Sequence, residues 1–350
     1  MELFLPADRL KTKNRYSIFS ENMMQKIVFI LIIVLQHLFV SAQVKWINVD
    51  SSFAPLPSNF HIYKTADSLD GKPFMAYYAE ADLKDRHLLF TTDSTFKRRL
   101  TPLQFYQKNN QPLLVVNGTF FSYSTNQNLN VLIKDGEILG YNIHTYPGRG
   151  KDTFTYKHPL GSAFGITKKR KADVAWLFTD SLLKATYALQ HAMPAVKDSS
   201  GKFYFAKAKK YAENVNGFGS QKDAHFKKWK VKTAIGGGPV LVQKGEVAVS
   251  NNEELKFAGK EIADKHPRTC MGYTKNGKLI IMVIKGRYPD AAGATLMQEA
   301  QLLKNLGCEE ALNLDGGGSS CMIVNGKETI KPSDKEGQRP VPGVFIIKMK

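Results

Sequence analysis

Apolar residues along this chain fall mostly in short runs separated by turn residues. The runs His61–Lys64, Phe74–Ala81, Leu88–Thr92, Leu113–Val116, Ala172–Phe178, Lys232–Ile235, Pro239–Gln243 and Leu279–Lys285 predict β-strands. Val131–Leu139 predicts a hairpin turning on Asp135-Gly136, a pair suited to a tight reversal. Asn276-Gly277 joins Thr269–Thr274 to the strand that follows it. Val341–Ile347 closes the chain as a strand after the loop Lys331–Pro340. Helical spacing is clearest over Thr295–Leu306, where Leu296, Ala300, Leu303 and Leu306 share one face and Gly307 stands where a left-handed C-cap belongs. A weaker helix is predicted over Ser94–Asn109, interrupted by Pro102. Strands dominate, helices do not alternate with them, and no linker divides the chain. The expectation is one α+β domain with mixed, strand-rich sheets and a few packed helices. Residues 186–230, rich in Lys and Ala, break the pattern and read as a surface insertion.

The N-terminus has a different grammar. Lys26 precedes an unbroken apolar run, Ile27–Leu35, whose character continues to Val40, and Val40-Ser41-Ala42 follows. This predicts a signal peptide over residues 1–42, cleaved after Ala42, because the run is short for a membrane span and ends on small residues. Met23 or Met24 is an alternative start. The predicted mature domain is 43–350, secreted or periplasmic, without stable membrane insertion. Lys+Arg 49 against Asp+Glu 31 gives a net charge of +18, compatible with anionic partners of several kinds. Export makes a nucleic-acid partner improbable and turns attention to anionic glycans. Three cysteines exclude a disulfide framework, and no essential disulfide is expected among Cys270, Cys308 and Cys321.

Common catalytic motifs are missing: no P-loop, no His-Glu-x-x-His, no Gly-x-Ser-x-Gly. The histidines lack ligand spacing, so no metal site is predicted and no cofactor is required, although a divalent cation near Asp315 stays open. Asn117-Gly118-Thr119 matches a glycosylation sequon but ends an apolar strand, a poor acceptor context.

Four segments carry the chemistry. Leu113–Phe121 is an apolar strand that delivers Asn117 to a turn at Gly118. Ala234–Leu241 contains Gly236-Gly237-Gly238-Pro239, glycines that permit close backbone approach. His266–Gly272 brings Arg268 into a strand. Gly293–Glu299 opens the helix, and Ala311–Ser320 follows it with Asn313, Asp315, Gly316, Gly317, Gly318 and Ser319. Glycines after an acidic strand end predict a nest of N–H groups aimed at an anion. An acid beside such a nest needs a catalytic reason, since a bare carboxylate repels phosphate. Glu299 taken by itself reads equally well as a solvated helix charge.

These four segments resemble the phosphodiester glycosidase family, over roughly Phe74 to the C-terminus. Cys270 replaces a small residue of the family pattern and Cys321 a Thr or Ser; residues 186–230 match no family pattern. The resemblance implies an enzyme that hydrolyses a sugar-1-phosphodiester, N-acetylglucosamine-1-phosphodiester-like, at the C1–O bond. Asp315 and Glu299 are then the candidate catalytic carboxylates, in roles left open. Arg268 is the phosphate ligand, assisted by the N–H groups of Gly316–Ser319, with Arg287 as second choice. Asn117 and Asn313 complete the substrate-binding set. Two rivals stand beside this reading: an envelope protein that binds phosphoglycan without cleaving it, and a hydrolase that cleaves phosphorus–oxygen instead.

Overall fold

Residues 268–285 show how the sequence makes the core. In Lys278–Lys285, Leu279, Ile281 and Val283 point to one side of the sheet and Ile280, Met282 and Ile284 to the other, and all six are buried. A strand covered on both faces reads as a continuous apolar run, which is why the pattern was visible. The computed structural model describes residues 44–214 and 225–350. The predicted signal peptide and the glycines of Gly217–Ser220 lie outside the described residues.

Three large sheets converge. The first has eight strands in the order Ile47–Asn48, Phe60–Leu69, Lys72–Asp82, Lys278–Lys285, Arg268–Thr274, Cys308–Asn313, Val240–Gln243 and Glu246–Val247. The second has seven, with Gly161–Ile166 and Ala172–Asp180 near its middle, and the third has five, built around Leu114–Asn117 and Gly343–Met349. A small three-stranded sheet completes the set. Phe60, Ile281 and Leu312 from the first sheet, Phe164 and Trp176 from the second, and Leu114 and Phe345 from the third meet in one shared core. The helix Leu296–Asn305 covers the other face of the eight-stranded sheet, and the helix Pro102–Lys108 covers the five-stranded one.

The strand-rich character expected from the sequence is present, with three corrections. Every strand pairing among the described residues is antiparallel, so the sheets are not mixed. Pro102 does not interrupt a helix; it begins one at the first position, where its missing N–H costs nothing, behind a Thr101–Gln104 capping box. Part of 186–230 is not surface decoration either. Strand Ala185–Leu189 pairs with Ala172–Asp180, and Leu189, Phe203, Ala208 and Ala212 are buried in the shared core. Lysines interleaved with these positions hid the burial. Strand Gly161–Ile166, buried throughout, also escaped sequence reading, because small residues give no strong strand signal. The three cysteines are free and buried.

Candidate active site

Strand ends from two sheets meet at one place. Arg268 opens its strand and Asp315 follows the end of Cys308–Asn313, its antiparallel neighbour, where Cys270 opposes Asn313. Asn117 ends a strand of the five-stranded sheet and ties the two systems together. Its Nδ2 donates to the Asp315 carbonyl (2.6 Å), and its Oδ1 accepts from Thr269 Oγ1 (2.9 Å) and the Cys321 N–H (3.0 Å). The Asp315 N–H donates to the Gly118 carbonyl (2.9 Å). Asn117 is wholly buried and absent from the cavity wall. Its side chain is committed to holding the Asp315 backbone, not to a ligand. Asn313 is equally buried; its Nδ2 donates to the Gly238 carbonyl (2.8 Å). Both departures have one cause: the amides satisfy backbone groups that the strand ends leave unpaired.

Beside Asp315 lies a cavity of about 330 Å³ lined by Arg268, Arg287, Arg339 and His266, by Asp315 through Gly318, by Glu261, and by the aromatic rings of Phe120, Phe121, Tyr123 and Phe257. Arg268 is almost sealed in. Its Nε donates to the Ala294 carbonyl (3.0 Å), and its guanidinium lies 5.4 Å from the centre of the Phe257 ring. Ala294 in turn pairs with His266 and immediately precedes Thr295, which caps the helix carrying Glu299. Burial lowers the Arg268 pKa, and the nearby Glu299 charge offsets part of that. Arg339 is held by Asp334 (Nε to Oδ2, 2.7 Å) and donates to Ser319 Oγ (3.3 Å).

The glycines do something other than form an extended nest. The N–H groups of Gly317 and Ser319 are spent inside the protein, on the carbonyls of Pro267 (2.8 Å) and Gly316 (3.1 Å). A side chain on Gly317, at φ +60°, would stand 3.3 Å from the Arg287 guanidinium, and one on Gly318 would sit 2.2 Å from that of Arg339. The glycines clear space for two arginines. Ser319 is buried and outside the wall. The second triplet is internal too: a Cβ on Gly237 would strike the Asn313 carbonyl at 2.4 Å.

The two carboxyls differ. Asp315 is half-buried and lines the cavity. Burial pushes its pKa up to about 7, against the pull of the Ser319 hydroxyl, the Arg339 charge and the Gly316 N–H. Glu299 is fully buried and is not part of the wall, so it is no solvated helix charge. Burial raises it to about 7 also, with Arg268 and the Cys270 thiol pulling down. The thiol is a weak donor and leaves both carboxyl oxygens without a satisfying partner. His266 Nε2 is likewise buried without a partner, and burial with Arg268 and Arg287 nearby lowers the ring's pKa.

Of the residues that the sequence singles out, Asp315, Arg268, Arg287 and Gly316, Gly317 and Gly318 line this cavity. His266, Phe120 and Phe121 stand in the motif segments without an assigned role, and the sequence does not single out Arg339, Tyr123, Phe257 and Glu261. Arg339 is one basic residue in an irregular loop of a basic protein, and nothing local marks it.

A family model for phosphodiester glycosidases matches residues 110–348, which hold all four motif segments. The SPbeta prophage-derived uncharacterized protein YomE of Bacillus subtilis is 40% identical over 70 residues, 20% of this chain and 11% of that protein. Mouse N-acetylglucosamine-1-phosphodiester alpha-N-acetylglucosaminidase is 36% identical over 101 residues, 29% of this chain and 19% of that protein. The chain thus matches under a fifth of the length of either relative. The catalytic domain of zebrafish N-acetylglucosamine-1-phosphodiester alpha-N-acetylglucosaminidase shares the fold, with a TM-score of 0.56 and 20% identity, covering 88% of this chain and 89% of that one. With most of its length inside the family match, this chain belongs to the phosphodiester glycosidase family.

Proposed function

We propose that the protein is an exported glycosidase that hydrolyses a sugar-1-phosphodiester, N-acetylglucosamine-1-phosphodiester-like, between C1 and its oxygen. The observation that carries the proposal is the gathering of Arg268, Arg287 and Arg339 around one cavity with Asp315, a half-buried carboxyl whose pKa is pushed up to about 7. The arginines suit a phosphodiester, which offers oxygens to a planar fork. The aromatic wall suits the apolar face of a sugar ring. A pure anion binder gains nothing from Asp315.

In the proposed step, water attacks C1, the C1–O bond breaks, and its electron pair stays on the phosphate oxygen. The departing group is a phosphomonoester, whose second pKa is about 6. It leaves as an anion without a proton donor, and the arginines steady its charge. The proton of the attacking water passes to ionised Asp315, directly or after the carboxylate has met the positive charge at C1. Glu299, sealed behind the wall, makes no hydrogen bond to Arg268 and bears on it only through its charge. No cofactor enters this step. Asn117 and Asn313 fix the strand ends that carry Asp315. Export rests on the N-terminal pattern; no helix among the described residues is long and apolar enough to cross a membrane.

Turnover of N-acetylglucosamine-1-phospho-methyl-mannoside in oxygen-18 water tests the proposal. The label is expected in the sugar. Label in the phosphate would establish phosphorus–oxygen cleavage, and binding without turnover would establish the phosphoglycan-binding alternative.

A further inference from the structure

Away from the cavity, two adjoining grooves lie one on the seven-stranded sheet and one where that sheet meets Leu88–Ser94 of the five-stranded sheet. The first, of about 480 Å³, has an apolar floor that includes Ile133, Ile138 and Val231, and it is rimmed by Lys168, Lys184, Lys228, Lys230 and Lys232. The second, of about 410 Å³, shares Lys168 and Lys232 with it and adds Arg86, Lys169 and Lys350. All of these cations are exposed. Asp135 is the single acidic side chain in the two linings, and it pairs with Lys232. A track of cations, of which Lys232 alone is ion-paired among the described residues, over an apolar floor is an electrostatic footprint for a polyanion with apolar faces between its charges.

We propose that this double groove holds a phosphate-bearing glycan chain, the polymeric form of the substrate proposed above, and so rests on that reading for its choice of polymer. Sugar rings present apolar C–H faces to Ile138, the part-exposed residue of the floor, while successive phosphates meet the lysine rim. A single-stranded nucleic acid fits less well, because it needs exposed rings for its bases to stack on. The one large ring of the first groove, Trp229, is buried and donates its N–H to Asp173.

The test compares the whole protein with its Lys168→Ala/Lys228→Ala/Lys230→Ala variant. None of the three belongs to the active-site cavity. The probes are fluorescent yeast phosphomannan, dephosphorylated mannan and a single-stranded DNA 20-mer, with binding read by anisotropy across salt concentrations. Phosphomannan is expected to bind more tightly than either control. The variant should bind it at least about tenfold more weakly, and the slope of log affinity against log salt should fall by about 2–3, one per lost phosphate contact. Turnover of a small sugar-1-phosphodiester should be unchanged. Equal binding by variant and parent, equal binding of dephosphorylated mannan, or preference for DNA would each overturn the groove. Salt-sensitive phosphomannan binding lost in the variant, but with no turnover of any diester, would instead overturn the glycosidase reading and leave the groove standing.

Discussion

Asp315 and Glu299 carry the same functional group, and burial raises both to about 7. One opens into a cavity among arginines; the other is sealed, with neither oxygen satisfied. A raised pKa therefore does not by itself mark a catalytic group. Access separates a carboxyl that can meet substrate from one that can only act through a neighbour, here Arg268.

Asp315→Asn is the sharpest way to break that comparison. It keeps the shape and removes the charge, and kcat should fall at least about a hundredfold, with no loss of melting temperature above pH 7, where the ionised carboxylate is the less stable form. A variant with near-parental turnover would remove Asp315 from the chemistry. Arg268→Lys should come next, weakening kcat/KM by about tenfold or more through both binding and turnover, because the ammonium keeps the charge but loses the fork. Kinetics on a soluble diester check this.

The pH profile sharpens the comparison further. If ionised Asp315 takes the proton, kcat/KM should rise with pH and level off above about 7. A fall over the same range would make Asp315 the acid. Stability should run the opposite way. Both folded carboxyls titrate above their ordinary values of 3.8 and 4.5, so between about pH 4 and 7 the folded state holds protons that the unfolded chain has released. Stability is then fully present below the unfolded values and declines as pH rises to about 7. Glu299→Gln should flatten that decline while lowering turnover less than Asp315→Asn; thermal melts at pH 5 and pH 8 decide it.

The smallest effects separate the two glycine triplets. Gly237→Ala should cost about 1–3 kcal/mol of stability, since backbone must move. Gly318→Ala meets only side-chain ends, those of Arg339 and Asp334, so it should leave melting nearly unchanged and raise KM.

Much of this was readable along the chain. The continuous apolar run in Lys278–Lys285, the Asp135-Gly136 hairpin and the apolar spacing of Leu296–Asn305 are local signals, set by backbone geometry and side-chain period, and they predict the strands and the helix without the fold. The same holds for Asp315 and Arg268, whose neighbours in sequence single them out. Other features depend on contacts between distant segments. Which residues a glycine triplet makes room for, whether Asn117 faces a ligand or the Asp315 carbonyl, and whether Glu299 meets solvent are settled only where three sheets meet. Arg339 reaches the cavity because Asp334 and Ser319 hold it there. By itself the sequence determined the elements, the charge and the chemical inventory, because those are properties of neighbours along the chain. The tertiary structure alone decided burial and access, because these depend on what lies across space.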